Sequence, residues 1–231
     1  MPCVAQAPPG YYSNVDPSSP ASLRLTLHQV IDDHTRLPYT SSQTDTWNVL
    51  NQSEQDPQNS SRIIDVYRNA SYQKISGGIG VYNREHTWPK SYGFPDESGS
   101  YPYTDCHQLY LCDGSYNTSR SNRPFAFSSG FGTERTTLFT NGAGGGSGVY
   151  PGNSNWYDSV GPNGRWEAWG DRRGDVARAL FYLDVRYEGG SHSPSGDPEP
   201  NLILTDNINL VVQSNTGNNE QDNTTTPTER K

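Results

Sequence analysis

The chain has 231 residues and a formal charge of −8, and only 31% of it is hydrophobic, while Tyr, Trp, Gly and Pro are plentiful. That length suits one domain with a full core, or one domain plus a tail; the acidic balance argues against a module that holds nucleic acid by general electrostatic attraction. No run approaches the ~20 apolar residues of a membrane helix, and the composition predicts an α+β protein: mixed, loop-rich, a single domain whose core leans on aromatic rings.

In chain order, Ala5-Gln6-Ala7 fits the small-residue end of a signal peptide. Residues 1–9 therefore read as a trimmed export remnant, with a lipid once carried by Cys3 as the alternative. Residues 10–20 form a lead-in loop. Leu23, Leu27, Val30 or Ile31 and His34 then recur at helical spacing behind Ser22, which predicts a helix over 22–34; His28 and His34 read as polar-face or cap residues. A second short helix is expected over 46–52, capped by Asp45, and a strand over 63–67. Residues 69–76 turn the chain back, and a glycine-rich approach leads into Asn83-Arg84-Glu85-His86-Thr87-Trp88-Pro89.

Here chemistry concentrates. A carboxylate and an imidazole are adjacent, and Trp88-Pro89 cannot easily continue a strand, because proline gives no N–H to a ladder. On a regular strand Glu85 and His86 would face opposite sides, so a shared site needs the backbone twisted or ending there. About thirty residues on, Asn117-Thr118-Ser119-Arg120-Ser121-Asn122 offers amide oxygens beside a guanidinium. Hard oxygen ligands for a divalent cation, an imidazole to deprotonate water and a fixed cation for phosphate are what metal-assisted phosphodiester hydrolysis needs. The bland alternative is an edge-strand Glu beside a buried structural His.

Between these blocks, residues 93–104 read as a loop and 105–111 as the second β element. Asp113-Gly114 is a tight-turn signal before a helix carrying Asn117. Cys106 and Cys112 would stand near ~20 Å apart on an extended strand, so they can pair only if the chain folds back; two part-buried thiols are equally open. Residues 125–164, rich in Gly, Ser and Asn, read as a long surface excursion and not a phosphate-cradling loop, since no Gly-Lys-Ser/Thr follows. Gly174-Asp175 is expected to open the main core helix, with Asp175 as cap and Val176, Leu180, Leu183 and Tyr187 along one face. The arginines from Arg165 to Arg186 are either a solvated face paired with Asp171, Asp175 and Asp184 or part of a positive cleft. An apolar element at 201–204 follows, and residues 214–231 read as a disordered tail or linker, leaving 10–213 as the domain.

Four blocks in order, Glu85 to Pro89, Asp105-Cys106-His107-Gln108-Leu109, Asp113-Gly114-Ser115-Tyr116-Asn117 with Arg120 and Asn122, and Gly174 to Ala179, resemble the bacterial secreted and periplasmic endonuclease I family. The resemblance implies a ββα-metal (His-Me finger) motif. It makes His86 the general base and Glu85 and Asn117 the ligands of one divalent ion, Mg²⁺ first, with Ca²⁺ or Mn²⁺ as alternatives. Relatives place an arginine for the cleaved phosphate in the loop after Glu-His; none stands between Pro89 and Asp105 here, so Arg120 is first choice, then Arg84 or Arg178. His107, Asn122 and Glu167 are expected to brace the site. Also implied is a secreted or periplasmic monomer that hydrolyses DNA, with RNA left open, through backbone phosphates with little sequence preference, leaving 5′-phosphate ends. A histidine base implies a slightly alkaline optimum bounded below by imidazole protonation. The rivals are a secreted binding module that kept the fold without catalysis and a metal phosphodiesterase for small substrates.

Overall fold

The computed structural model describes residues 7–128 and 130–213; Cys3 and the expected tail at 214–231 lie outside them, as does most of the expected export remnant. Helix α1 spans Pro20–Ile31, starting two residues and ending three residues earlier than the spacing suggests, because the Ser19 hydroxyl accepts the Ser22 N–H and Pro20 takes the first turn. Helix α2, Thr46–Ser53, starts where expected: Asp45 and Asn48 exchange side-chain-to-backbone bonds in a capping box. Strand β1 is only Arg62–Ile64. It stops short of the expected Tyr67 because the buried Asp65 carboxylate gathers the backbone N–H groups of Tyr67, Arg68, Ala70 and Asp113 at 2.8–3.3 Å, a local bonding scheme that outcompetes a ladder. The chain reverses and returns as β2, Ser71–Gln73, antiparallel to β1.

Strand β3, Tyr82–His86, ends on the histidine. A short helix α3, Tyr101–Thr104, stands where a loop was expected. Strand β4, Leu109–Asp113, pairs antiparallel with β3, with Glu85 opposite Tyr110 and His86 opposite Leu109. Helix α4, Gly114–Arg120, follows without an intervening turn: Asp113 is its N-cap, accepting the N–H groups of Ser115 and Tyr116. The expected tight turn at Asp113-Gly114 is thus a strand-to-helix junction, clamped from below by Arg68 and Tyr72 on the same carboxylate.

Residues 125–164 are not a patternless excursion. Strands β5, Thr133–Arg135, and β6, Asn155–Asp158, join β7, Arg165–Glu167, in a three-stranded antiparallel sheet. The buried Asn155 side chain ties that sheet to the Tyr67 carbonyl and the Trp169 N–H. Helix α5, Gly170–Arg186, begins a turn before the expected start, so Asp175 lies inside it and pairs with Arg172 and Arg178 instead of capping. Its buried face is nonetheless close to the one expected: Val176, Leu183 and the following Tyr187 are buried, joined by Ala179.

The β3–β4 hairpin is covered on both faces, which the sequence did not signal. Tyr82, Leu109 and Leu111 pack with Leu50 and Ile63 on one side. Cys112 on the other packs with Val66, Tyr67, Tyr116 and Trp166. A third cluster joins Trp88, Tyr92, Phe94, Tyr101 and Tyr103 to Leu183 of α5 and to Tyr187 just after it, so the loop after His86 is itself core. Cys106 and Cys112 are free thiols. Among the described residues no helix is long and apolar enough to cross a membrane.

Candidate active site

Alternation along β3 sends Asn83 and Glu85 toward α4 and sends Arg84 and His86 to the opposite face. On the α4 side, Glu85 is 2% exposed, and its Oε1 accepts from the Tyr67 hydroxyl at 2.7 Å and Arg120 Nη1 at 2.8 Å. Burial pushes the Glu85 carboxyl up, and the Arg120 charge and the two donors oppose that push in part. Tyr67 is held well above its ordinary value by burial and then by the Glu85 charge, and therefore donates as a neutral phenol. Among the described residues no group donates to Glu85 Oε2, which leaves one carboxylate oxygen for a ligand.

Asn117 lies on α4, one turn before Arg120. Its Nδ2 donates to Asn83 Oδ1 at 2.6 Å and, weakly, to the Arg84 carbonyl at 3.4 Å. A carbonyl only accepts, so the amide nitrogen stays on that side and Oδ1 is turned away from the strand. The two residues immediately before Glu85 thus anchor Asn117. This gives one free carboxylate oxygen and one free amide oxygen at the interface of β3 and α4. Among the described residues there is no group of three or more His, Cys, Asp or Glu able to hold a metal. A donor set of two hard oxygens fits a cation that keeps most of its water, as Mg²⁺ does, and fits poorly a structural metal caged by protein.

On the other face, the His86 imidazole sits in an aromatic box. Tyr39 stacks on it at 5.8 Å, Tyr103 meets it edge-on at 4.8 Å and Phe94 lies at 6.2 Å. Its Nε2 is 2.9 Å from the Tyr103 carbonyl. The carbonyl can only accept, so Nε2 carries the proton and Nδ1 carries the lone pair. Nδ1 has no hydrogen-bond partner among the described residues, and His86 keeps 9% exposure. Burial lowers the imidazole pKa to about 4, with the positive charges of Lys90, Arg84 and Arg120 adding to the push and the Tyr103 bond resisting it. The ring is neutral at physiological pH, as a proton acceptor must be.

Arg120, 1% exposed, joins the two faces: besides Glu85 it donates to the carbonyls of His86 at 2.7 Å and Thr87 at 2.5 Å. Its guanidinium is committed to the protein, which matches bracing and leaves no donor pair facing solvent for a phosphate. Arg84 is likewise committed, bonding the Tyr39 carbonyl and the hydroxyls of Thr46 and Thr40 while stacking on Tyr39 and Trp47. Arg178 is exposed on α5 and pairs with Asp175. The remaining candidates stand apart from this cluster. His107 is exposed beside Tyr182, 4.7 Å between ring centroids. Asn122 offers its carbonyl to the Tyr92 hydroxyl. Glu167 is buried and binds the Ser128 N–H, the Tyr150 hydroxyl and Arg173, tying the three-stranded sheet to α5.

Residue-by-residue reading overlooked Tyr67, Tyr39, Tyr103 and Lys90. The tyrosines carry no local signature. Lys90 does carry one, as the first basic residue after the histidine. Its exposed ammonium donates to the Tyr103 hydroxyl at 3.1 Å and, among the described residues, has no carboxylate partner.

The Endonuclease I family model matches residues 19–197. The chain is 38% identical over 199 residues to an extracellular ribonuclease of Bacillus subtilis and 35% identical over 199 residues to an extracellular ribonuclease of Bacillus amyloliquefaciens. Each alignment covers 85% of this chain but 58% and 57% of the relative, so the chain spans under two thirds of either protein. No solved structure matches. With a family match running through every element from α1 to α5 and relatives well above 30% identity, the chain belongs to the Endonuclease I family.

Proposed function

We infer that the chain is a secreted, metal-dependent endonuclease that hydrolyses phosphodiester bonds in DNA and RNA with little sequence preference. The observation that carries this reading is the β3–β4–α4 unit: an antiparallel hairpin and a helix that hold Glu85 and Asn117 on one side and a tautomer-fixed His86 on the other. The hairpin-then-helix order supports a ββα-metal (His-Me finger) motif, in which the end of β3 at His86 would let the imidazole and the Glu85–Asn117 oxygens serve one phosphate. Secretion is supported by the extracellular relatives.

In this scheme His86 Nδ1 takes a proton from water, and the resulting oxygen attacks phosphorus in line with the departing 3′ oxygen, which takes a proton from solvent, leaving a 5′-phosphate and a 3′-hydroxyl. A water nucleophile needs no 2′-hydroxyl, which is why both nucleic acids are substrates. Glu85 and Asn117 would hold one divalent ion, Mg²⁺ foremost with Mn²⁺ or Ca²⁺ as substitutes, which would supply positive charge to the phosphate as negative charge develops on it. Arg120 fixes the Glu85 carboxylate and the carbonyls on either side of the strand's end. Lys90, exposed near the imidazole and without a carboxylate partner among the described residues, takes the role first considered for Arg120, Arg84 and Arg178: it positions the scissile phosphate. No base-reading motif is present in the sequence, and contacts to backbone phosphate carry no sequence information.

Supercoiled plasmid and a structured RNA, incubated separately with the purified chain and Mg²⁺ and then with EDTA, test the reading. Nicking and degradation of both, abolished by EDTA, is the expected result. Intact plasmid and RNA alongside hydrolysis of bis-nitrophenyl phosphate would turn the assignment to a small-substrate phosphodiesterase. No hydrolysis of any of these would leave a binding module.

A further inference from the structure

A cavity of about 410 Å³ lies beside the His86 box and is used by none of the chemistry above. Its walls include Tyr11, Tyr12, Leu37, His34, His107 and Tyr182. Tyr11 and Tyr12 meet edge-on at 4.8 Å and remain 41% and 55% exposed. The rings of His107 and Tyr182 form a second pair. The cavity adjoins the site through the chain itself. Leu37 is two residues from Tyr39, and Thr104, also in the wall, is one residue from Tyr103, the two rings that flank His86. Two residues of chain span at most about 7 Å.

The polar content of the cavity is oriented too. Asp105 is buried with its oxygens occupied: Oδ2 accepts from the Tyr182 and Tyr187 hydroxyls at 3.0 and 2.8 Å, and Oδ1 accepts the His107 N–H at 2.9 Å. His34 Nδ1 accepts from Arg186 Nε at 3.0 Å. An arginine Nε–H only donates, so the His34 proton is on Nε2, which lies 4.0 Å from Asp105, beyond hydrogen-bonding distance. The cavity therefore presents ring faces, the His34 Nε2–H and hydroxyl groups that include the unpartnered Thr104 Oγ1, and its wall contains no lysine or arginine.

We propose that this cavity is a subsite for an unpaired nucleobase of the substrate strand, stacked on the exposed tyrosines next to the scissile phosphate. Ring faces with a few neutral hydrogen-bonding groups among them suit a planar heterocycle that has a carbonyl or ring nitrogen at its edge. They do not suit a phosphate, for which the wall offers no cation. Stacking is tolerant of base identity, so the subsite would favour single-stranded over paired substrate without adding sequence preference. It also explains how a chain with a charge of −8 retains a polyanion.

The proposal rests on the nuclease reading, and the test separates the two. Binding of a fluorescein-labelled single-stranded oligonucleotide and of an abasic strand of equal length is followed by anisotropy in EDTA, where no cleavage occurs, for wild type, Tyr12→Ala and Tyr11→Ala. The expected result is tighter binding of the base-bearing strand by wild type and a loss of about tenfold in each variant for that strand alone. Cleavage of bis-nitrophenyl phosphate with Mg²⁺ is expected to stay unchanged in both variants. Equal affinity of wild type for the two strands, or variants that bind the base-bearing strand as wild type does, would overturn the subsite whatever the activity. Absence of all hydrolysis by wild type would instead overturn the nuclease reading.

Discussion

The two faces of β3 solve different problems with different chemistry. Toward α4 the packing is charged: a buried carboxylate, a buried guanidinium and a neutral phenol satisfy one another and leave a single carboxylate oxygen free. Toward Tyr39 and Tyr103 it is aromatic, and one carbonyl is enough to fix which nitrogen of His86 holds the proton. A cation site needs a permanent negative charge, which low dielectric penalises unless it is paired. A proton acceptor needs a neutral ring, which the same low dielectric favours. One strand end can host both because the pleat separates them.

Breaking the charged face should have the largest effect. Arg120→Met leaves Glu85 buried without its partner and removes bonds to two carbonyls; a loss of about 3–5 kcal/mol in urea unfolding is expected. Glu85→Gln in the same background should recover part of it, and a failure to recover would mean that the Glu85 charge is not what Arg120 compensates. Breaking the aromatic face should spare the fold: His86→Ala is expected to lower kcat about 10²–10⁴-fold while metal affinity, followed by calorimetry, stays near wild type. Equal plasmid cleavage by wild type and His86→Ala would discard the mechanism. Asn117→Ala should do the reverse, weakening metal affinity about 10–100-fold with a rise in the Mg²⁺ needed for half-maximal rate.

The pH profile sharpens the comparison further. A His86 pKa near 4 keeps the ring neutral down to that value, so the acid limb of kcat should fall between about pH 4 and 5 and not at the ~6.5 of a free imidazole. The acid limb of the slightly alkaline optimum expected from an ordinary histidine is therefore expected to lie at lower pH. Linkage has the same sign: the unfolded ring takes up its proton first as pH falls, so stability is lost as pH drops through the window from ~6.5 to about 4. A limb at 6.5 would show that the box admits bulk water. The smallest effect is assigned to Lys90→Ala, about tenfold in kcat/KM on plasmid, with partial rescue by Lys90→Arg.

Much of this was legible along the chain. Asp45 and its helix, the two β elements flanking residues 87–108, the helix bearing Asn117 and the buried face of α5 follow from capping residues and hydrophobic spacing, which act within a few residues. The same local rules misjudged Ser22, Asp113 and Asp175, because each is a good cap and only the neighbouring elements decide whether it caps, begins late or forms an ion pair. Residues 125–164 looked structureless because their strands are short and their anchors, Asn155 and Ser128, are polar.

By itself the sequence determined the chemical inventory, namely an adjacent Glu85 and His86, a downstream Asn117 and Arg120, and the order that makes them a hairpin followed by a helix. Tertiary structure alone decided how each is used. Arg120 is buried and spent on protein groups, the His86 proton sits on Nε2, and Lys90 is exposed with no carboxylate partner among the described residues, because those outcomes depend on Tyr67, Tyr39 and Tyr103, residues 13 to 47 positions away from the groups they contact. Spacing encodes what neighbours along a helix or strand can do; hydrogen-bond partners and dielectric are set by whatever the fold brings across.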